Sequence, residues 1–245
     1  EDLFLSKEKR YATTQKAFLA MPGTTFSYWA SATVRRIFEN AHVISDFGDS
    51  RSGMQTGDNN LFLRLWFEVE FSKINLHIKS QDECEKMKEK WIPQPKGGAC
   101  RKWYGNLEYV VNYEDSGRDL RNFTGTSIIK NPQFYFREGA SWSHTTSSIF
   151  SARYMPTGCI FNVEAPTFYP NNGVSLQYIL GFLNTNILND LFGYISQSMH
   201  FLAGDMAKLP IYYDKSSVAK VEKLVNDTIR LAKDDWDSSE TSWDF

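Results

Sequence analysis

The apolar residues of this chain repeat with two different periods, which restricts it to a fold that mixes strands and helices. Between Leu61 and Phe71 they alternate. Leu61, Leu63, Leu65, Phe67, Val69 and Phe71 fall on one side, and Arg64, Trp66, Glu68 and Glu70 on the other. That is the pattern of a half-buried strand. From Ser175 to about Tyr194 the spacing becomes three and four, through Leu176, Ile179, Leu180, Leu183, Ile187 and Leu191. That is the stripe of a buried helix. The expected fold class is mixed α/β, of the α+β kind: a twisted sheet packed on a few helices, with a helical C-terminal part.

Other stretches fill in the order. Ser27 is placed to cap a helix from about Tyr28 to Asn40 that buries Ala30, Val34, Ile37 and Phe38. The charges between Lys79 and Lys90 suit a solvated helix. Trp91 to Tyr113 reads as strand, glycine-rich turn and strand, and Ile160–Val163 and Thr167–Tyr169 as short strands. Gly181 and Asn184-Thr185-Asn186 are poor helix formers and should bend the 175–194 helix. A last helix, Ser217 to Lys233, should bury Val218, Val221, Leu224, Val225, Thr228 and Leu231. The tail after it holds five acids and no base, and is expected to be flexible. The domain reading is a lead-in over 1–25, a main domain over 26–214, and a C-terminal helix and tail over 215–245.

Composition excludes several classes. At 42% hydrophobic residues in 245, the chain can bury a substantial core. A net charge of −2 argues against a protein basic all over but allows one basic face. Three cysteines far apart suggest neither a disulfide framework nor a metal knuckle, and fit a reducing compartment. The four histidines show no ligand spacing, so no metal is expected. The start is no signal peptide and no apolar run reaches membrane-spanning length. A chain that opens without Met and stops at Trp243-Asp244-Phe245 is expected to be a piece of a longer polypeptide.

Charge is segregated. Lys88–Arg137 carries nine bases and five acids, an excess of +4, whereas 205–245 carries nine acids and six bases, −3. Within the basic stretch, Lys96-Gly97-Gly98-Ala99-Cys100-Arg101-Lys102-Trp103-Tyr104-Gly105-Asn106 sets cations beside glycines and aromatics. Such a segment can grip phosphates and pack a ring on sugar or base; a solvated hairpin with cation–π pairs is the plainer reading. Gly48 to Phe62 gathers Gly48, Gly53 and Gly57 around Arg51, Gln55, Thr56, Asn59 and Asn60. Arg, Gln and Asn can read base edges with two hydrogen bonds at once, and the plainer reading is a surface turn. Asn131-Pro132-Gln133-Phe134 departs at one position from the Asn-Pro-Pro-Tyr/Phe motif of adenine methyltransferases, and no glycine-rich cofactor turn precedes it. Ser141 and His144 lie too close in sequence for a nucleophile and its base, and no Gly-x-Ser-x-Gly elbow exists. No catalytic residue is assigned.

Jointly these motifs resemble a known family. Thr56-Gly57-Asp58-Asn59-Asn60-Leu61-Phe62, with Arg64 and Trp66, resembles the Thr-Gly-x-Asn-x-x-Phe signature opening the specificity half of TaqI-like and type IIG adenine methyltransferases. Lys96-Gly97-Gly98 with Arg101 to Asn106 is closer to the PglX methyltransferases of BREX phage-resistance systems. So are Tyr135 to Gly139 with Trp142-Ser143, and Arg153-Tyr154 with Gly158 to Phe161. Leu180 to Thr185, Gly204-Asp205-Met206 with Lys208 to Ile211, and Trp236 to Phe245 extend the likeness through the chain.

The resemblance implies a target-recognition domain that directs its loops toward double-stranded DNA and is non-catalytic alone. It implies a parent enzyme whose upstream methyltransferase domain binds S-adenosylmethionine and methylates adenine at N6; no cofactor is expected in this chain. It also implies the cytoplasm of a bacterium or archaeon, with no membrane partner. Candidate phosphate contacts are Lys96, Arg101, Lys102 and Arg153. Candidates for base or backbone contact are Arg51, Gln55, Thr56, Asn59, Asn60 and Arg137, and Trp103, Tyr104 and Trp142 are candidates to pack against the duplex. The alternative is an assembly module that docks on the methyltransferase half or on other defence-system proteins.

Overall fold

A computed structural model of the chain describes residues 11–19, 21–196 and 198–245. Its centre is a four-stranded antiparallel sheet ordered β2-β8-β6-β7. Here β2 is Gly48–Arg51, β8 Thr167–Pro170, β6 Gly139–Trp142 and β7 Ala152–Met155. Both faces are covered, and the period-two alternation of a strand decides which residue meets which side. Ala140, Trp142, Ala152 and Phe168 face one hydrophobic core; Met155 and Tyr169 face a second.

The first core lies under two helices, α6 (Leu176–Leu183) and α7 (Asn186–Ile195), with Val225 of the long helix α9 (Val218–Asp237). Also in it are Phe38 of α2 (Ala32–Asn40) and Ile211 of β9 (Pro210–Ile211), which pairs with β1 (His42–Val43). The second core is roofed by a three-stranded antiparallel sheet, β3-β5-β4: Leu63–Leu65, Tyr109–Asn112 and Trp91–Pro93. Phe62, Ile92, Val111, Phe134, Phe136 and Phe161 fill it. The remaining helices are short: α1 (Gln15–Leu19), α3 (Asn59–Phe62), α4 (Gln81–Cys84), α5 (Glu114–Asn122) and α8 (Ala203–Met206). The mixed α+β class is therefore as expected, with open antiparallel sheets.

Several boundaries differ, each for a local reason. The alternation of 61–71 yields only the three residues of β3. Upstream, the Asp58 carboxylate accepts from Leu61 N–H and caps α3; downstream, Glu68 accepts from Leu65 N–H and turns the chain. Leu61, Phe67 and Phe71 are left exposed. The helix expected from Tyr28 begins at Ala32, because Ser31 supplies the cap at 3.2 Å from Val34 N while Ser27 donates to Tyr194 O. The charged 79–90 stretch keeps a single helical turn, capped by Ser80. Ile160–Val163 is no strand; it is tied to Met54 by an isolated parallel bridge. Helix α9 runs past Lys233 to Asp237, and of its expected buried set Leu224 and Leu231 are exposed. The tail expected to be flexible is folded back, with Trp236 and Ser242 buried. The first ten residues of the expected lead-in lie outside the described residues.

Asn184 shows how a poor helix former earns its place. It ends α6 and presents its amide to edge strand β7. Oδ1 accepts from Ala152 N–H and Nδ2 donates to Ala152 O, both at 3.0 Å. The side chain thus stands in for a strand partner.

Gly53 marks a close approach of two chain segments. A Cβ built there would lie 2.1 Å from Phe161 O and 2.4 Å from its carbonyl carbon. Gly53→Ala should therefore force the 53–54 and 161–163 segments apart and cost about 1–3 kcal/mol, read by urea denaturation. An unchanged midpoint would show that the two segments separate freely.

Candidate nucleic-acid interface

The loop from Lys96 to Asn106 lies against the β7 edge. Trp103 N–H donates to Ala152 O and Tyr154 N–H to Trp103 O, both at 2.8 Å. Lys102 Nζ donates to Asn184 O at 2.9 Å. Asn106 Nδ2 donates to both Gly97 O and Ala99 O at 2.9 Å and closes the loop on itself. Gly97 has φ +81°, and a Cβ there would lie 2.5 Å from Glu164 O. Only glycine suits both conditions.

Arg153 sits beneath this loop and is 3% exposed. Its Nη2 donates to Ser143 Oγ at 3.2 Å and Nη1 to Arg101 O at 3.4 Å, and Ser143 Oγ in turn donates to Gly98 O. Burial, above all, lowers its pKa to about 10, so it remains a cation at neutral pH. Among the described residues it has no carboxylate partner, and it spends its charge on the loop backbone.

The C-terminal helix holds the loop from another side. Arg101 lies 3.2 Å from Asp235 and 5.0 Å above the Trp236 ring. Lys233 lies 5.4 Å from the Tyr104 ring and pairs with Asp237 and Asp244. Trp66 Nε1 donates to Thr241 O at 3.0 Å.

Burial and these contacts correct four expected roles. Trp142 is fully buried and its Nε1 donates to Phe201 O. Tyr104 is 6% exposed, and burial pushes its hydroxyl pKa up to about 12. With Arg153 and Thr56, each 3% exposed, these are interior residues, without the surface a duplex contact requires. Arg101, Lys102 and Trp103 are half-buried and held by protein partners.

The other candidates form two groups. Gln55, Thr56, Gly57, Asn59 and Lys96 line one open cleft of about 340 Å³ with Asn162, Val163 and Glu164. Backbone pairing creates this meeting. Met54 bonds to Phe161 O and Val163 N–H, and Gln55 exchanges two bonds with Ile128. Behind the cleft, buried Gln94 accepts from Asn162 Nδ2 at 3.1 Å, and Asn162 Oδ1 accepts from Glu164 N–H at 2.9 Å. Thr56 Oγ1 donates to Asn59 Oδ1 at 2.7 Å, which orients Asn59 at the start of α3 beside exposed Asn60. Lys96 also borders a neighbouring cavity of about 430 Å³, with Nζ 5.2 Å from the Tyr109 ring.

Arg51 and Arg137 form the second group. Both are exposed and flank the Phe134 ring at 5.5 and 5.3 Å. Arg51 is partnered by Asp49, and Arg137 forms no ion pair among the described residues. The methyltransferase-like Asn131-Pro132 is a turn: Asn131 is left-handed and donates its amide to Ser52 O. The cleft residues missed in the sequence are Asn162 and Glu164. Their signal was a polar pair interrupting the apolar run before Pro166.

No family model matches the chain. It is 36% identical over 242 residues to the adenine-specific methyltransferase PglX of Lacticaseibacillus casei (strain Zhang), a match covering 96% of this chain and 20% of the relative. It is 33% identical over 236 residues to the adenine-specific methyltransferase BrxX of Escherichia coli O9:H4 (strain HS), covering 95% of this chain and 18% of the relative. The chain spans about one fifth of the length of these curated relatives. Along nearly all of its length, then, this chain is similar to one region of the PglX and BrxX adenine-specific methyltransferases.

Proposed function

We propose that this chain is the DNA-recognition part of an adenine-specific methyltransferase, with residues 26–214 as the recognition domain. The observation that carries the reading is the convergence of two sequence-distant loops on one polar cleft. Gln55 and Asn59 come from one loop, where buried Thr56 orients Asn59, Lys96 comes from the other, and Glu164 joins them. Amides and a carboxylate suit base edges, and a lysine suits a phosphate. Arg51, Asn60 and Arg137 extend the contact, and Arg101, Lys102 and Arg153 hold the loop in shape. S-adenosylmethionine and the methyl-transfer chemistry belong to the rest of the parent polypeptide, in the cytoplasm of its cell.

The test replaces the matching segment of a related full-length methyltransferase with these 245 residues and maps methylated adenines across the genome. A new, consistent motif is the expected result. Within that hybrid, Lys96→Ala should weaken DNA binding and reduce its salt slope by about one unit, while leaving the methylated motif unchanged.

A second reading, an assembly module, is favoured by exposed Tyr11, Leu19, Phe26 and Tyr28. Apolar surface of this kind suits docking on another part of the parent or on other defence-system proteins. An active hybrid that keeps its original motif would establish this second reading over the first.

A further inference from the structure

Helix α3 separates two concavities. Asn59 at its start lines the cleft described above. Leu61 and Phe62 at its end line another, of about 520 Å³. This second pocket lies outside every residue assigned above to DNA.

Its walls come from five elements, α3, β3, β4, β5 and α5, and carry three kinds of chemistry. Phe123, half-buried, supplies the open aromatic surface, backed edge to face at 5.2 Å by Phe62, which like Trp91 is buried in the wall. Arg64 and Lys90 supply positive charge. One terminal nitrogen of Arg64, Nη1, holds the carbonyls of Asn60 and Leu63, and no protein partner engages its other guanidinium nitrogens among the described residues. Lys90 lies 3.6 Å from Glu114, a loose pair, and 5.9 Å from the Trp91 ring. The third component is Asn112, 7% exposed, with its Nδ2 3.4 Å from the Asp119 carboxylate. Asp119 is also 3.6 Å from Arg118, so that carboxylate is not isolated.

We propose that this pocket binds one nucleotide. The base packs on Phe123, its amino edge meets Asn112 and Asp119, and its phosphate meets Arg64 and Lys90. The lining is mixed, more polar than most small-molecule sites, which suits a ligand that is itself part aromatic and part charged, and the volume falls in the small-molecule range. Base stacking on aromatics tolerates any base, while the Asp119 acceptor favours bases that carry an amino group. The nucleotide is either free or an unpaired unit of a strand, and the same chemistry serves both.

The test is calorimetric titration of the full chain with adenosine 5′-monophosphate, with a short single-stranded oligo-deoxyadenylate, and with ribose 5-phosphate as a base-free control. Lys90→Ala removes one of the two cations, and Asn122→Trp, at an exposed pocket residue, fills the space. Thermal melts verify that each variant is folded, and either folded variant suffices. Binding of the monophosphate identifies a free nucleotide, and binding of the oligonucleotide alone identifies a strand. In both cases a loss of about tenfold or more in the variants is expected. No binding of either probe up to about 1 mM, binding untouched by the variants, or equal binding of ribose 5-phosphate would overturn the proposal. None of these outcomes depends on whether the Lys96 cleft recognises duplex DNA.

Discussion

Trp142→Ala should destabilise the fold by about 3–5 kcal/mol, the range for emptying a fully buried large aromatic site. The indole is 0% exposed in the first core, 6.1 Å from the Phe150 ring, and its Nε1–H has a partner in Phe201 O. Deletion would remove this packing and leave that carbonyl without its donor. Such a loss is a large fraction of the stability of an ordinary domain. Urea denaturation of the purified chain measures it. Trp142→Phe, which keeps most of the ring surface, should recover more than half of the loss. A drop below about 1 kcal/mol for the alanine variant would mean that the side chain is not a core residue, and would restore it as a surface for the duplex.

The second large effect is at Asn184. Asn184→Leu removes both hydrogen bonds to Ala152. Ala152 O still has Trp103 N–H, but Ala152 N–H loses its partner in a buried position. An orphaned buried donor, together with the lost amide contacts, should cost about 2–3 kcal/mol. Hydrogen exchange is the specific readout. The Ala152 amide should exchange faster by an amount matching the stability loss, with a local rise at Trp103 and Tyr154, since the same edge seats the recognition loop. If protection at Ala152 is unchanged, another group holds that strand edge.

The two hydrophobic periods fixed the class of the fold, but only the helical one placed its element well. The 175–194 stripe is buried at Leu176, Ile179, Leu180, Leu183 and Leu191 but breaks where Asn184 and Thr185 stand, and past that break Ile187 is exposed and Leu188 buried in its place. The 61–71 alternation misled because a cap at Asp58 and a turn at Glu68 cut the strand short, and neither carboxylate's bonding is written in hydrophobicity. Phe67 and Phe71, expected inside, are outside for the same reason. At the candidate site the segments were legible and the roles were not. Lys96, Gln55, Thr56 and Asn59 were all named, yet their meeting depends on bonds between Met54 and residues 161–163, which no local pattern announces. Arg153 and Trp142 carried the right chemistry for nucleic acid and sit in the interior. Residue type alone does not distinguish a cation that grips a phosphate from one that holds a loop. The acidic tail illustrates the opposite error: its composition suggested freedom, while buried Trp236 and Ser242 anchor it.

The cysteines have a practical consequence. Cys84 and Cys159 are buried, and burial raises both thiol pKa values, that of Cys159 to about 12. Cys100 is exposed, on the very loop that Arg153 supports from below. The three are the whole cysteine content of the chain. Thiol reagents react through the thiolate and need access, so the native protein should take up a maleimide dye at Cys100 first. The wild-type sequence therefore carries its own attachment point for a fluorophore beside the proposed interface, and arrival of a ligand there can be followed optically without changing a residue.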